Sequence, residues 1–441
     1  MGGTLSKFGA IGAEFSALNI NPAAIGVYKK SEITFTPLVV SIMNSTAQYN
    51  GSSSPYLSTN YNLNNAGIVI TIPLEDKTKW NAVQMGFGYN RIKDYNNTFR
   101  IEGTSKNSSI ADQLINMANG TSIDNLQGDA ELAFMTWFID SLSGGGNQYY
   151  SHFSGQNVKQ KKYTHTSGAI DEMIFTFGGN YNDQLYIGMT VGVPFINYRE
   201  QSTYSEIDEE GFDNLIDEFR MEDALSVKGI GVNLKLGLIY QPVDFFRLGL
   251  AFHTPTYYGN MKDHFTRSMI SYFDDGGDSD VYEYSNTFNY KLNTPLRAIG
   301  SVAFLIQKRA FISADYEFTN YALANMFAND YSFVTENEEI RNKYGVSHTI
   351  RVGTEIYLTE NFLVRLGYNF MSNPYKNEIN HSPAHLAAAG VGLRFNSFFV
   401  DLAYNIKFSQ ENYWMYDAAF VTASENNYTT HKVAATVGFK F

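Results

Sequence analysis

The residues able to grip a polar ligand are few and scattered. Arg351, Arg365, Arg394 and Lys407 alternate along the chain with Asp315, Glu317, Glu355 and Asp401. A guanidinium holds a carboxylate through two parallel hydrogen bonds, so an unpaired arginine suits an acidic ligand. The other reading is that these charges pair with one another and stiffen the wall that carries them. Asp274, Asp275, Asp278 and Asp280 crowd a short stretch with the oxygen ligands calcium takes, but without EF-hand spacing or a closing glutamate. A solvated loop tip fits that stretch better. His381 and His385 stand four apart with Pro383 between them, which spoils a helical metal pair. No metal and no cofactor is expected. Gly-x-Ser-x-Gly and Walker motifs do not occur, and there is no cysteine, so the chain offers no recognisable hydrolase elbow, phosphate loop, thiolate or disulfide. It does not read as an enzyme.

The elements that must position these charges are strands. In Ile350–Leu358, Phe362–Phe370 and Phe398–Phe408 every charge falls on one face and the large apolar residues on the other. The last ten residues repeat the pattern: Val433, Ala435, Val437, Phe439 and Phe441 oppose Lys432, Thr436, Gly438 and Lys440. One apolar face, one polar face and about 10 residues is the unit of a transmembrane β-barrel. A charge on the lipid face would cost about 2–4 kcal/mol, so the polar face is the lumen. Aromatics make up 15% of the 441 residues and charged residues 17%, mean hydropathy is -0.25, and no run of 18 apolar residues exists, which excludes a helical span. The net charge of -12 argues against a nucleic-acid partner. Export to an outer membrane predicts a cleaved leader ahead of this sequence.

Fifteen strand-like segments occur between residues 32 and 441. Short turns such as Asn396-Ser397, Thr359-Glu360 and Asn182-Asp183 alternate with the long connections 92–169, 196–224, 256–281, 319–345, 372–385 and 409–430. The alternation closes only if 282–292 and 295–306 form one strand bent at Pro295. The expectation is an all-β, 14-stranded antiparallel transmembrane barrel over 32–441, in the bacterial outer membrane, with short periplasmic turns and long extracellular loops. Loop 92–169 carries helical stretches at Ser109–Met117 and Asp129–Leu142; the second bears Leu132, Met135, Phe138, Ile139 and Leu142 at helical spacing and stops at Gly144-Gly145-Gly146.

Residues 1–31 are not a strand. Gly2, Gly3, Gly9, Gly12 and Gly26 are interspersed with Phe8, Ile11, Phe15, Leu18, Ile20 and Ile25, which reads as a hatch or plug folded inside the barrel. Here the chain resembles the FadL/TodX family of outer-membrane hydrophobic-compound and long-chain fatty acid transporters. The resemblance is carried by Asn21-Pro22-Ala23 within 13–26, by Thr294–Ala298 followed by Ser313–Glu317, by Val352–Glu355 with Arg365–Tyr368, and by Gly390–Gly392 before Asp401–Tyr404. It spans nearly the whole chain, the loops excepted.

The resemblance implies passive, TonB-independent uptake. A hydrophobic molecule enters at the extracellular mouth, reaches an apolar pocket, and leaves sideways through a gap in the wall as the hatch moves. On this footing Asn21, Pro22 and Ala23 are the gating residues, and Phe15, Leu18, Ile20, Arg351, Arg365 and Arg394 are candidate ligand contacts. Gly86 and Gly88 in the third strand are candidates for a wall kink, or else glycines that relieve crowding inside the barrel. The implied partners are a hydrophobic small molecule, lipid or detergent in the lumen and outer-membrane lipids around it. Similar barrels act in Bacteroidota type IX secretion, so a Bacteroidota source and a second role are also implied: an accessory or shuttle barrel in a larger outer-membrane assembly.

Overall fold

A computed structural model describes residues 8–75, 79–144, 146–212, 215–307, 309–376, 380 and 382–441. Gly2, Gly3, Gly145 and His381 lie outside the described residues. Fourteen antiparallel strands close into a barrel. They are β1 (Glu32–Tyr49), β2 (Ser52–Asn62 and Asn65–Pro73), β3 (Trp80–Asp94 and Asn97–Thr104), β4 (Lys159–Tyr181), β5 (Leu185–Ile207), β6 (Ile216–Val243) and β7 (Phe246–His253 and Tyr257–Phe273). The wall continues with β8 (Tyr282–Asn293 and Arg297–Ile306), β9 (Ala310–Asn320), β10 (Val346–Tyr357), β11 (Phe362–Met371), β12 (Ala384–Arg394), β13 (Phe398–Tyr413) and β14 (Ser424–Lys440). Each pairs with the next, and β14 closes on β1 from Glu32↔Lys440 to Gln48↔Glu425. The break in β8 falls at Thr294–Leu296, around Pro295, because proline cannot donate to the ladder.

Alternation sets the faces. Leu366, Phe398, Leu402 and Phe439 point outward, 40–57% exposed, and Phe362 shares that face opposite exposed Leu393. Arg351 is 6% exposed on the inside. Closure pairs the strands with one another across the membrane-spanning part of the wall, and an apolar exterior then makes this an outer-membrane barrel. No described helix is long and apolar enough to cross a membrane.

The rim is uneven. β4, β5 and β6 run 23, 23 and 28 residues, against 10 and 11 for β11 and β12. A membrane crossing takes about 9–11, so one side of the barrel projects well beyond the bilayer. This corrects the expected loops: 196–207 and 216–224 are strand, as are 97–104 and 159–169 within the expected loop 92–169. Their outward faces are polar there, which hid the strand continuation from an apolar pattern.

The projecting side carries a cap. Helix α1 (Ile110–Ala118) starts at Ser109, whose hydroxyl accepts from Ala111 N–H in a capping box with Asp112. Helix α2 (Asp129–Met135) is shorter than expected. Trp137 takes φ 63°, outside helical geometry, and Asp140–Ser141 pairs with Tyr149–Tyr150. Leu132, Phe138 and Ile139 still bury themselves, while Met135 and Leu142 are exposed. A third helix, α3 (Val334–Lys343), sits in the loop between β9 and β10. The apolar core of the cap joins Ile110, Leu114, Phe138 and Phe153 to Tyr49, Ile101, Tyr204 and Phe219 of the wall.

Candidate functional site

The site is built where the N-terminal segment meets the inner wall. Two 3-10 turns, Phe15–Asn19 and Pro22–Val27, carry Phe15, Leu18, Ala24 and Ile25 into an apolar cluster with Val69 of β2 and Ile174 of β4. The wall makes room with glycines. A Cβ on Gly67 would fall 2.1 Å from the Phe15 ring, one on Gly88 2.4 Å from it, and one on Gly86 3.0 Å from Ile25 Cδ1. The ladder passes Gly86 and Gly88 without a register shift; the shifts in β3 lie at Trp80/Ala82 and Arg91/Lys93. No break in the ladder falls at Gly86 or Gly88. These glycines accommodate the segment packed against them.

Asn21 organises the second turn. Its Oδ1 accepts from Ala23 N–H at 3.0 Å as a cap, and Pro22 occupies the first position, where a missing N–H costs nothing. Its Nδ2 donates to Gly9 O at 2.7 Å and to Leu238 O of β6 at 3.2 Å. Asn21, Pro22 and Ala23 are buried. Further ties run from Arg247 to Ile11 O (2.7 Å), from Lys235 to Asn19 Oδ1 (2.5 Å), from Gly9 N–H to the Asp315 carboxylate (3.2 Å) and between His253 and Ile20 O (3.0 Å). The segment is held by hydrogen bonds to charged wall residues as much as by apolar contact.

Above it lies a lumen cavity of about 340 Å³. Ile20, Asn19 and Phe8 form part of its lining, whereas Phe15 and Leu18 point away into the apolar cluster. Its walls mix charged with apolar side chains: Glu172, Lys235, Arg297, Glu317, Arg351 and Lys407 reach it beside Ile92, Ile170, Ile299, Met371 and Leu386. Register brings the charges in, since the inward faces of β9–β13 carry the charges of those strands. The three arginines singled out in the sequence each meet a carboxylate. Arg351 pairs with Glu317; Arg365 bridges Glu355 (2.6 Å) and Asp401 (3.1 Å); Arg394 grips Asp401 at 2.7 and 3.0 Å. Of these only Arg351 borders the cavity. Lys93, Lys407 and Arg297 also line it, and among the described residues none of the three makes a salt bridge within 4 Å. Lys407 was visible as a lumen charge; Lys93 was obscured by the irregular end of its strand.

Beside Lys93 the wall has a seam. The β2–β3 ladder runs from Pro73↔Ala82 only to Asn65↔Asn90. Beyond it Ser52–Asn62 pairs with β1 and Asn97–Thr104 with β4. No ladder joins those two upper segments among the described residues. They are bridged by side chains: Asn62 Nδ2 to Asp94 Oδ2 at 2.9 Å and Glu102 N–H to Ser54 Oγ at 3.2 Å.

The cap closes the extracellular end through a buried carboxylate. Glu206 accepts from Ile110 N–H (2.8 Å), Gln160 Nε2 (2.8 Å), the Tyr204 hydroxyl (2.6 Å) and the Ser109 hydroxyl. A negative charge at a helix N-terminus is well placed. No group of three or more His, Asp or Glu among the described residues is arranged to hold a metal ion. Asp274–Asp280 forms a turn in which Asp275 accepts from Gly277 N–H at 2.9 Å.

No protein-family profile and no curated protein matches the chain. Solved structures do match. The toluene transporter TodX of Pseudomonas putida aligns over 100% of this chain and 98% of its own, at 13% identity and a TM-score of 0.54. A FadL homologue of Pseudomonas aeruginosa aligns over 99% and 98%, at 13% identity and 0.55. The toluene transporter TbuX of Ralstonia pickettii aligns over 100% and 98%, at 12% identity and 0.53. The fold of this chain is the fold of these barrels over its full length.

Proposed function

We propose that the barrel admits hydrophobic small molecules across the outer membrane passively, with exit sideways through the β2–β3 seam. The observation that carries this reading is the coincidence of three features at one height. The ladder between β2 and β3 stops at Asn65↔Asn90, Ile92 and Lys93 beside that stop line the cavity, and Ile20 of the N-terminal segment lines it from below. A ladder replaced by side-chain hydrogen bonds opens at much lower cost than a paired one, since each such bond contributes about 1 kcal/mol net. An apolar solute leaving at the foot of the seam, eight residues above Pro73↔Ala82 and so near the upper edge of the apolar band, enters lipid and gains about 0.8 kcal/mol per CH2 over water. Residues 1–31 act as the hatch, with Asn21, Pro22 and Ala23 as its hinge.

Lys93, Lys407 and Arg297, which make no salt bridge among the described residues, favour an amphiphile with an acidic head and an apolar tail over a neutral hydrocarbon. A head group held in the cavity would leave its tail to reach the seam. The likeness to the toluene transporters and the FadL homologue agrees with hydrophobic cargo. Organic extraction of the purified barrel followed by mass spectrometry of the extract tests this reading. An acyl or other lipid-like acid retained in stoichiometric amount supports it; a hydrophilic solute retained instead overturns it.

A further inference from the structure

Three identical Tyr–His pairs stand on the outer surface of the short side of the barrel. Tyr316 of β9 meets His348 of β10, Tyr368 of β11 meets His385 of β12, and Tyr404 of β13 meets His431 of β14. In every pair the tyrosine hydroxyl lies 2.7 Å from Nδ1, and the rings are inclined by 26–32° with centroids 5.8, 6.2 and 6.1 Å apart. The tyrosines are 45, 45 and 42% exposed. His348 and His385 also take an aromatic edge, from Phe318 and Phe370, where the third pair has Ile406 opposite His431. The motif recurs on every second strand, so the pairs stand about 10 Å apart along the wall.

Their height is fixed by register. The histidines lie opposite Phe318, Phe370 and Ile406, each eight residues into strands that begin at 310, 362 and 398. Eight residues of tilted strand rise about 20 Å of a 25 Å apolar band. Above them the outward face turns polar at Asn320 and Ser372, and at Thr429 beside His431. The row therefore sits at the upper edge of the hydrocarbon, where outer-leaflet head groups begin.

A tyrosine at a membrane interface ordinarily turns its hydroxyl to water and head groups. Here each hydroxyl is spent on an imidazole instead. A hydroxyl donating to Nδ1 leaves the ring proton on Nε2, and no described residue hydrogen-bonds Nε2 in any of the three pairs. The tyrosine thus holds the ring, and in the tautomer where its hydroxyl is the donor the ring presents a free Nε2–H at head-group level. We propose that the three pairs are a row of sites for a phosphate-bearing glycolipid of the outer leaflet, one head group per pair, each phosphate oxygen accepting from Nε2–H. The proposal is independent of what crosses the lumen.

The barrel purified in mild detergent and examined by native mass spectrometry after incubation with diphosphorylated lipid A, with phosphatidylglycerol or with phosphatidylcholine tests it. The wild type should retain up to three lipid A molecules and prefer them over phosphatidylcholine. Each single change among His348→Phe, His385→Phe and His431→Phe should remove one bound lipid, with affinity at that site falling about fivefold. Tyr316→Phe, Tyr368→Phe and Tyr404→Phe together should weaken retention less, because the donor remains but its ring is no longer fixed. Heat-resistant migration on gels identifies variants that fold. Equal lipid A retention by the folded His variants overturns the proposal. So does equal retention of phosphatidylcholine, stronger retention of phosphatidylglycerol than of lipid A, or loss of a copurified protein instead of a lipid.

Discussion

The Asn21 side-chain amide donates to the carbonyl oxygen of Gly9 at 2.7 Å, tying together two parts of the N-terminal segment that are twelve residues apart. The same NH2 reaches Leu238 O of β6, so one side chain fastens the segment both to itself and to the wall. The strands depend on none of these bonds. Replacing Asn21 and Pro22 together with Ala leaves two carbonyls and the Ala23 N–H short of a partner, a local cost of about 1–3 kcal/mol for each buried group. The double variant should keep heat-resistant folded migration on gels while hydrophobic uptake by intact cells changes. Normal uptake by a folded variant contradicts a gating role, and failure to fold makes the segment a structural plug.

Phe15 fits because Gly67 and Gly88 have no side chains. Gly67→Ala should push the ring out of its cluster and cost about 1–3 kcal/mol of local stability, read as faster hydrogen exchange over residues 15–28. Adding Phe15→Ala should recover much of that loss, since the three atoms nearest a Cβ at Gly67 all belong to the ring. Additive effects in the double variant would show that the glycine serves another purpose.

Glu206 joins α1 to the wall through four donors. Glu206→Ala should free the cap without opening the barrel, so limited proteolysis within 105–158 should accelerate while the barrel fragment stays heat-resistant. The cost is on the order of 2 kcal/mol, since Ile110 N–H and the Tyr204 hydroxyl lose their acceptor inside the cap. Unchanged proteolysis would mean that apolar burial alone holds the cap.

The proposed preference for acidic cargo rests on Lys93 and Lys407. Changing both to Met keeps their length and apolar stems while removing charge. Uptake of a long-chain acid should fall severalfold while uptake of the corresponding alkane is unchanged or improved. Equal loss for both compounds would assign these lysines to lumen structure.

The barrel was legible in the sequence because strand alternation is a local property. The strands from Ala310 to Lys440 were found where their apolar faces lie, and the break at Pro295 resolved an odd count into an even one. The upper halves of β3 to β7 were not legible, because above the membrane the outward face turns polar, while the inward face packs residues such as Ile101, Tyr204 and Phe219 against the cap, so the lipid-side apolar stripe disappears. The site was harder still. Arg365 and Arg394 stood out as cations, but which carboxylate each meets, Glu355 or Asp401, is set by the register of neighbouring strands. The same holds for the seam at Asn62 and Asp94, and for the Tyr–His row, whose members are distant in sequence and meet only across adjacent strands.

Uptake through the seam is tested most directly by locking it. Asn62 and Asp94 face each other across the unladdered stretch, with Nδ2 and Oδ2 2.9 Å apart, and the chain contains no other cysteine to confuse a crosslink. Asn62→Cys with Asp94→Cys, oxidised to a disulfide, should stop entry of a labelled long-chain hydrophobic compound into intact cells, and reduction should restore it. Each single-cysteine variant should transport throughout. Undiminished uptake by the fully oxidised double variant would contradict sideways exit at this seam.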